Sequence, residues 1–398
     1  MLKPLAFLLF LLPLSTLAQH TIWGNVKNFN DKKPIENANV FISNATNGGK
    51  TKADGTFRLD GIKNGRYELV VSMVGFAPYR QPFLVNDSDV TFRNIELVPK
   101  IIELHEVAVK PDKNRKRNYD WFKHLFLGNS ENASECQILN PDIIDLDYDD
   151  STKRLTASTS DFIEIENDAL GYKLKYLLNA FLWDTNKNFM SYEGAVWFEN
   201  MDGTPPQKKR WTKNRQNTYL GSSMHFFRSV IGNQLAEDGF WVHQLIVSPN
   251  TDRPADSLIR ANMAKYRKLA AAKSKWSDSL FYWVEKSQMP MINRTFIDSS
   301  LRLNEIIKIT NVKGIYSFGC DGSYLYIVYA KKNKVAHPNY EETNLIDSRA
   351  TVVSFISPDT FFDDNGWIIN PESAVFTGFW ANKRIADLLP VDYEPPVK

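Results

Sequence analysis

Four side chains with the chemistry to hold an anion fall close together: Arg215, Tyr219, His225 and Arg228. Gly221-Ser222-Ser223 reads as a helix start, so His225 falls in the first turn, near the positive end of the dipole. Arg228 follows three residues on, along the same face. Backbone N–H groups, an imidazole and two guanidinium groups there could hold a carboxylate or phosphate. The plainer alternative is a surface helix whose arginines pair with local acids and whose histidine packs on Tyr219. Ser222 and His225 also invite a nucleophile–base reading. Residues three apart on one helix rarely align for attack, and no Gly-x-Ser-x-Gly elbow accompanies them.

Metal chemistry finds less support. None of the 6 histidines has a glutamate three residues later, and no His-Glu-x-x-His occurs, so the ligand pattern of an open catalytic zinc is missing. Asp142, Asp145, Asp147, Asp149 and Asp150 form an acidic run whose alternate members share one face of an extended strand. The run lacks the glycine and terminal glutamate of a calcium loop, so a solvated strand edge is expected. Trp276, Phe281, Tyr282 and Trp283 offer stacking surface for a sugar, although Phe281 and Trp283 alternate like a strand facing the core. No catalytic, cofactor-binding or metal-ligating set is expected.

The 2 cysteines, Cys136 and Cys320, leave two readings open: a bridge in an oxidising compartment, or two buried thiols. Lys3, the apolar run Leu5 to Leu14 and the small residues before Gln19 follow the plan of a secretory leader over residues 1–18. The mature chain is then exported, to the periplasm or the outer membrane, and carries no segment of about 18 uninterrupted apolar residues to span a bilayer. Charge is balanced, 48 basic against 46 acidic residues, which gives no broad attraction for nucleic acid.

The elements that would position these groups divide at a charged stretch. From residue 19 to 109, apolar residues alternate: Ile22, Gly24, Val26; Val40, Ile42; Phe57, Leu59; Leu69, Val71, Met73; Ile95, Leu97. Turn residues punctuate them at Asn30-Asp31, Asn47-Gly48-Gly49, Asp54-Gly55, Asn64-Gly65 and Asn86-Asp87, which predicts an antiparallel β-sandwich with a tight hairpin at Asp54-Gly55. The runs Gly24-Asn25-Val26, Lys33-Pro34-Ile35, Ala38-Asn39-Val40, Thr51 to Phe57, Gly65 to Leu69 and Val74-Gly75-Phe76 resemble the carboxypeptidase regulatory-like family. The resemblance implies a seven-stranded, transthyretin-like sandwich that serves as a structural or docking unit. Such modules stand beside zinc carboxypeptidase domains, whose motif is missing here, and at the N-termini of exported proteins of Bacteroidetes-type bacteria.

Lys110 to Arg117 is charged, begins with Lys-Pro and has no apolar period, so it reads as a linker over 110–117. Residues 118–398 read as a second, α+β domain with mostly antiparallel sheet. Trp121, Phe122, Leu125 and Phe126 predict a helix, as do Met224 to Leu235 (ending near Gly239) and Asp256 to Lys275. Strands are expected at Phe162–Glu166, Tyr172–Trp183, Phe189–Phe198, Phe240–Val247, Ile306–Ile309, Tyr324–Tyr329 and Thr351–Ile356. Cys136 to Pro141, Leu170-Gly171-Tyr172, Tyr219 to Ser222 and His225 to Arg228 resemble the region that follows such modules in uncharacterised Bacteroidetes-type proteins. Two functions stay open on the sequence. One is a non-enzymatic envelope component binding a protein or glycan; the other is a hydrolase working near His225.

Overall fold

Residues 19–100, 114–272, 277–300, 303–320, 324–330 and 349–396 are described by a computed structural model. The expected leader, residues 110–113 of the expected linker, and Trp276 lie outside them. Mostly β structure in several sheets, with helices in the C-terminal part, makes up the chain.

The N-terminal strands are β1 (His20–Asn28), β2 (Asn39–Ile42), β3 (Gly48–Lys50), β4 (Thr56–Ile62), β5 (Gly65–Ser72), β6 (Tyr79–Val85) and β7 (Val90–Leu97). They form one sheet ordered β4-β1-β7 and another ordered β3-β2-β5-β6. The expected turn at Asn47-Gly48-Gly49 falls earlier, because Gly48 and Gly49 pair with Phe41 and Val40 as part of β3. Ile22, Val26, Val40, Ile42, Phe57, Leu59, Leu69, Val71, Ile95 and Leu97 are all buried, as the period-2 alternation requires. Gly24 holds its place in that row because a Cβ there would lie 2.3 Å from the Phe92 carbonyl oxygen. The antiparallel expectation fails at one pair: β1 runs parallel to β7. Asp54-Gly55 does turn the chain, with Thr56 N–H and Oγ donating to the Asp54 carboxylate and Gly55 at φ +75°. It is a corner between the two sheets, not a hairpin, because β3 and β4 belong to different sheets.

Next come α1 (Arg115–Leu127), α2 (Glu131–Ser134), β8 (Cys136–Ile138), β9 (Ile144–Asp149), β10 (Arg154–Thr159), β11 (Ile163–Asn167), β12 (Tyr172–Asp184), β13 (Phe189–Asn200) and α3 (Pro205–Tyr219). Strands β8 to β13 make one antiparallel sheet with β12 at its centre. The basic end of the expected linker is helix: Arg115 donates to the carbonyls of Pro141, Asp142 and Ile144, and the Arg117 guanidinium lies 4.7 Å from the Trp121 ring centre. Helix α1 buries Phe122 and Phe126, which meet Phe181 and Tyr176 edge-on. No apolar period announced α3; Thr204 and Gln207 start it with a capping box ahead of Pro205 and Pro206.

The sandwich and this sheet share a core. Phe41 and Val70 of the sandwich form one buried cluster with Phe162, Leu177, Ala195 and Trp197 of the sheet. Phe41 stacks on Trp197 with ring centres 6.0 Å apart. Beside them Asn44 N–H donates to Val196 O at 2.7 Å and Phe198 N–H to Ala45 O at 3.0 Å, which extends the edge of β13.

The chain divides into two compact units, and the division falls elsewhere than the expected linker. The first unit is Met1–Leu220 with Asp363–Asn365 and Lys383–Lys398; the second is Gly221–Phe362 with Gly366–Asn382. The second unit holds α4 (Ser223–Ile231), α5 (Leu235–Asp238), β14 (Phe240–Pro249), α6 (Asp256–Ala272), α7 (Ser277–Gln288), β15 (Ile292–Ser300), α8 (Leu303–Ile306), β16 (Ile307–Ile309), β17 (Ile315–Phe318), β18 (Tyr324–Tyr329), β19 (Ala350–Phe355), β20 (Thr360–Asp363, all but its last residue) and β21 (Ala374–Gly378). One sheet is ordered β15-β14-β18-β19-β21 and a smaller one β16-β17-β20. Phe226 and Phe227 anchor α4 among Phe240, Phe318, Phe362 and Trp380. The single helix expected over 222–239 breaks at Gly232-Asn233, where Asn233 takes φ +53°. Phe281 and Trp283 lie on helix α7 and not on a strand; their alternation was too short to decide the period.

Candidate binding site

The four residues singled out in the sequence are divided between the two units. Arg215 and Tyr219 belong to the first unit, His225 and Arg228 to the second. From α3, the Arg215 guanidinium donates to the carbonyls of Leu170 at 2.7 Å and Gly171 at 3.0 Å and lies 3.7 Å from the centre of the Tyr172 ring. Burial pulls its pKa below the usual arginine value. It is the clasp that holds α3 on the turn before β12. Tyr219 is buried against Tyr393.

His225 is buried between the rings of Phe240 and Tyr329. Its Nδ1 accepts the Gly221 N–H at 3.1 Å, so the neutral ring carries its own proton on Nε2, which faces the Asp238 carboxylate at 3.8 Å. Ser229 Oγ donates to the same carboxylate at 2.7 Å. Ser222 Oγ accepts from the His225 N–H and caps α4. A general base needs an unoccupied lone pair aimed at its proton donor. The one on His225 is already used by the backbone. Arg228, half-buried in the last turn of α4, lies with its Cγ 3.3 Å from where a Cβ on Gly366 would stand.

Asp145, Asp147 and Asp149 line the exposed face of β9, the edge strand of its sheet, as expected. Ser151 and Thr152 donate to the Asp149 carboxylate and pull its pKa down to about 2. Among the described residues no group of three His, Cys, Asp or Glu side chains is placed to hold a metal ion. Cys136 and Cys320 are not bridged and fall in different units. Burial pushes the Cys136 thiol up from 9.0 to about 12. Maleimide at pH 8 is therefore expected to leave Cys136 unlabelled until denaturant is added; labelling as fast as in the unfolded chain would contradict its burial. Because the unfolded thiol ionises near 9.0 and the folded one does not, its contribution to stability is present below that pH and is lost as pH rises toward 12.

A different set of residues does converge on a space. Strand β12 pairs with β11 up to Tyr176 and with β10 from Phe181. Residues Leu177 to Ala180 between them pair with neither, and the ladder to β13 is bulged there. The gap opens onto the turn after β5 and leaves a cavity of about 280 Å³ inside the first unit. Ser72, Phe76, Lys100, Thr159, Asp161 and Asn179 are among its lining residues. Thr159 Oγ is buried there with no hydrogen-bond partner, and Val74 stands at the rim, 70% exposed. Sequence reasoning missed this set because it comes from a strand end, a turn and a bulge. The only local signal was the polar run Thr159-Ser160-Asp161 ahead of an apolar strand. The second unit has its own cavity, about 410 Å³, where Ser317 Oγ donates to Asp359 at 2.8 Å beside Lys308 and Tyr324.

Among the described residues no helix is long and apolar enough to cross a membrane. No curated protein matches the chain. Among solved structures, a type II cohesin–X-dockerin complex from Acetivibrio cellulolyticus is 13% identical over 20% of this chain and 56% of that one, with a TM-score of 0.18. The pilus 2b backbone protein of group B streptococcus is 17% identical over 21% of this chain and 42% of that one, with a TM-score of 0.18. The 5-hydroxyisourate hydrolase of Klebsiella pneumoniae is 16% identical over 20% of this chain and 91% of that one, with a TM-score of 0.18. The chain thus spans about half the length of the first two. The stretch that builds the sandwich is accounted for by sequence: residues 22–109 match the family of the CarboxypepD_reg-like domain.

Proposed function

We propose that the protein is a non-enzymatic component of the cell envelope, exported to the periplasm or outer membrane, that recognises a glycan or a protein segment. Sandwich and sheet act as one scaffold, and the cleft at the β12 bulge is the recognition site. The observation that carries this reading is the lining of that cleft. Ser72, Lys100, Thr159, Asp161 and Asn179 line it together with Phe76 and Leu177, and the Thr159 hydroxyl is buried without a hydrogen-bond partner. The cleft's exposed lining is more polar than apolar, and polar groups fixed in a concave site are what orient a bound ligand. The occupied lone pair of His225 supports binding over the hydrolase alternative.

A photo-crosslinking benzoylphenylalanine at Val74, at the rim, tests it in the native envelope. One discrete adduct is expected, reduced at least tenfold when Thr159→Tyr fills the cleft. No adduct, or the same adducts after that substitution, counts against the reading. So does hydrolysis of an ester, amide or glycoside panel that disappears in both His225→Gln and Ser229→Ala.

A further inference from the structure

Aromatic side chains stand in water on one helical hairpin of the second unit. Helices α6 and α7 pack together, and their open ends are tied to the β14–β15 ladder: Arg253 donates to Met289 O at 2.8 Å, Lys286 to Asp252 O at 2.9 Å and Asn250 N–H to Met291 O at 3.0 Å. Helix α7 half-buries Leu280, Trp283 and Val284 and turns Phe281 and Tyr282 outward, 64% and 49% exposed. Leu258 in the first turn of α6, and Met291 just before β15, add exposed apolar surface at the tied end.

The same hairpin is basic. Arg260, Lys265, Arg267 and Lys268 are all exposed on α6. The only acid on that helix, Asp256, is neutralised by Arg253 at 2.6 Å. Helix α7 adds Asp278 and Glu285 against Lys286. Exposed large apolar side chains grouped on a soluble surface mark an interaction site. An apolar protein groove would have no use for four neighbouring cations, and a purely acidic partner would have none for the rings. Rings that enter a headgroup layer, beside cations that face lipid phosphates, satisfy both.

We propose that the α6–α7 hairpin docks the protein on an anionic lipid surface. Phe281 and Tyr282 insert at the level of the headgroups, and Arg260, Lys265, Arg267 and Lys268 supply the attraction. The proposal is independent of the cleft in the first unit. Co-sedimentation of the full chain with vesicles of phosphatidylethanolamine and phosphatidylglycerol tests it, with phosphatidylcholine vesicles as the neutral comparison. Binding to the acidic vesicles is expected to be at least tenfold tighter and to weaken as salt rises. The double substitution Lys265→Glu with Lys268→Glu is expected to cost at least tenfold, since each cation near such a surface is worth about fivefold. Phe281→Ser with Tyr282→Ser should cost a similar factor, and thermal unfolding should be unchanged because all four side chains are exposed. No binding to the acidic vesicles, equal binding to the neutral ones, or unaltered binding by both double variants would overturn it. So would retention on immobilised polyglutamate without vesicle binding, which points to an acidic polymer as the partner.

Discussion

Trp197→Ala is expected to destabilise the first unit by about 3–5 kcal/mol, the range for emptying a buried tryptophan site. The indole fills the junction between sandwich and sheet: Phe41 stacks on it, and the Lys175 ammonium lies 4.5 Å from its ring centre. Gly48 is shaped around it, since a Cβ there would come within 2.4 Å of the indole. Collapse cannot refill the hole easily, because Phe41 and Val70 are held on their strands by ladder pairing. Trp197→Phe is the control. The indole N–H is buried with no partner, so losing it removes a cost along with some packing, and the change should be much smaller than for alanine. Urea unfolding with hydrogen exchange resolved by segment would read both. Amides of β2, β5 and β13 should lose protection together in the alanine variant. If the sheet loosens while β2 and β5 keep their full protection, sandwich and sheet are separate folding units and the shared core is wrong.

Deleting everything after Asn382 should prevent the first unit from folding, although its sandwich and sheet lie before residue 221. The returning segment inserts Ile385, Ala386, Leu389 and Val391, all buried. Val391 N–H donates to Asn44 O at 2.7 Å, and the Asp392 carboxylate accepts from Thr46 N–H at 2.9 Å. Further on, Lys63 pairs with Glu394. At its start, Asn167 donates to Ala386 O at 3.0 Å and Asn132 to the buried Asp387 carboxylate at 2.8 Å. At roughly 1.5–3 kcal/mol for each of the three larger aliphatic side chains, the loss reaches about 5–9 kcal/mol as an upper estimate. That rivals the whole stability of an ordinary domain, about 5–15 kcal/mol. Limited proteolysis should then cut the truncated chain throughout residues 20–220. A milder Asp392→Ala, which leaves Thr46 N–H without its acceptor, should cost about 1–3 kcal/mol and keeps the test informative if the truncation does not express. A truncated chain as resistant as the full one would show that the segment only rests on the surface.

Both expectations concern features that alternation could not reveal. In the sandwich, Val40, Ile42, Leu69 and Val71 announced one buried face, and the strands formed where the period placed them. Their neighbours Phe41 and Val70 carried the missing signal. Uninterrupted apolar runs at 40–42 and 69–71 mean a sheet buried on both faces, and so a second layer packed on the sandwich. The candidate anion site shows the opposite failure. Arg215, His225 and Arg228 have the right types and spacing, but buried carbonyls, a backbone N–H and the Asp238 carboxylate satisfy the first two. Sequence proximity cannot show who else competes for a donor.

Local chemistry alone determined the strands of the sandwich, the exposed acids of β9, the apolar face of α1 and the serine-capped start of α4. Each follows from periodicity, turn residues or capping, which act over a few positions and are written in order along the chain. The tertiary structure decided what those rules leave open: that sandwich and sheet share Trp197, that the last residues close the first unit, and that the β12 bulge opens a cleft. Those outcomes depend on side chains more than a hundred residues apart competing for the same buried volume and the same hydrogen-bond partners, a competition settled only when the whole chain is folded.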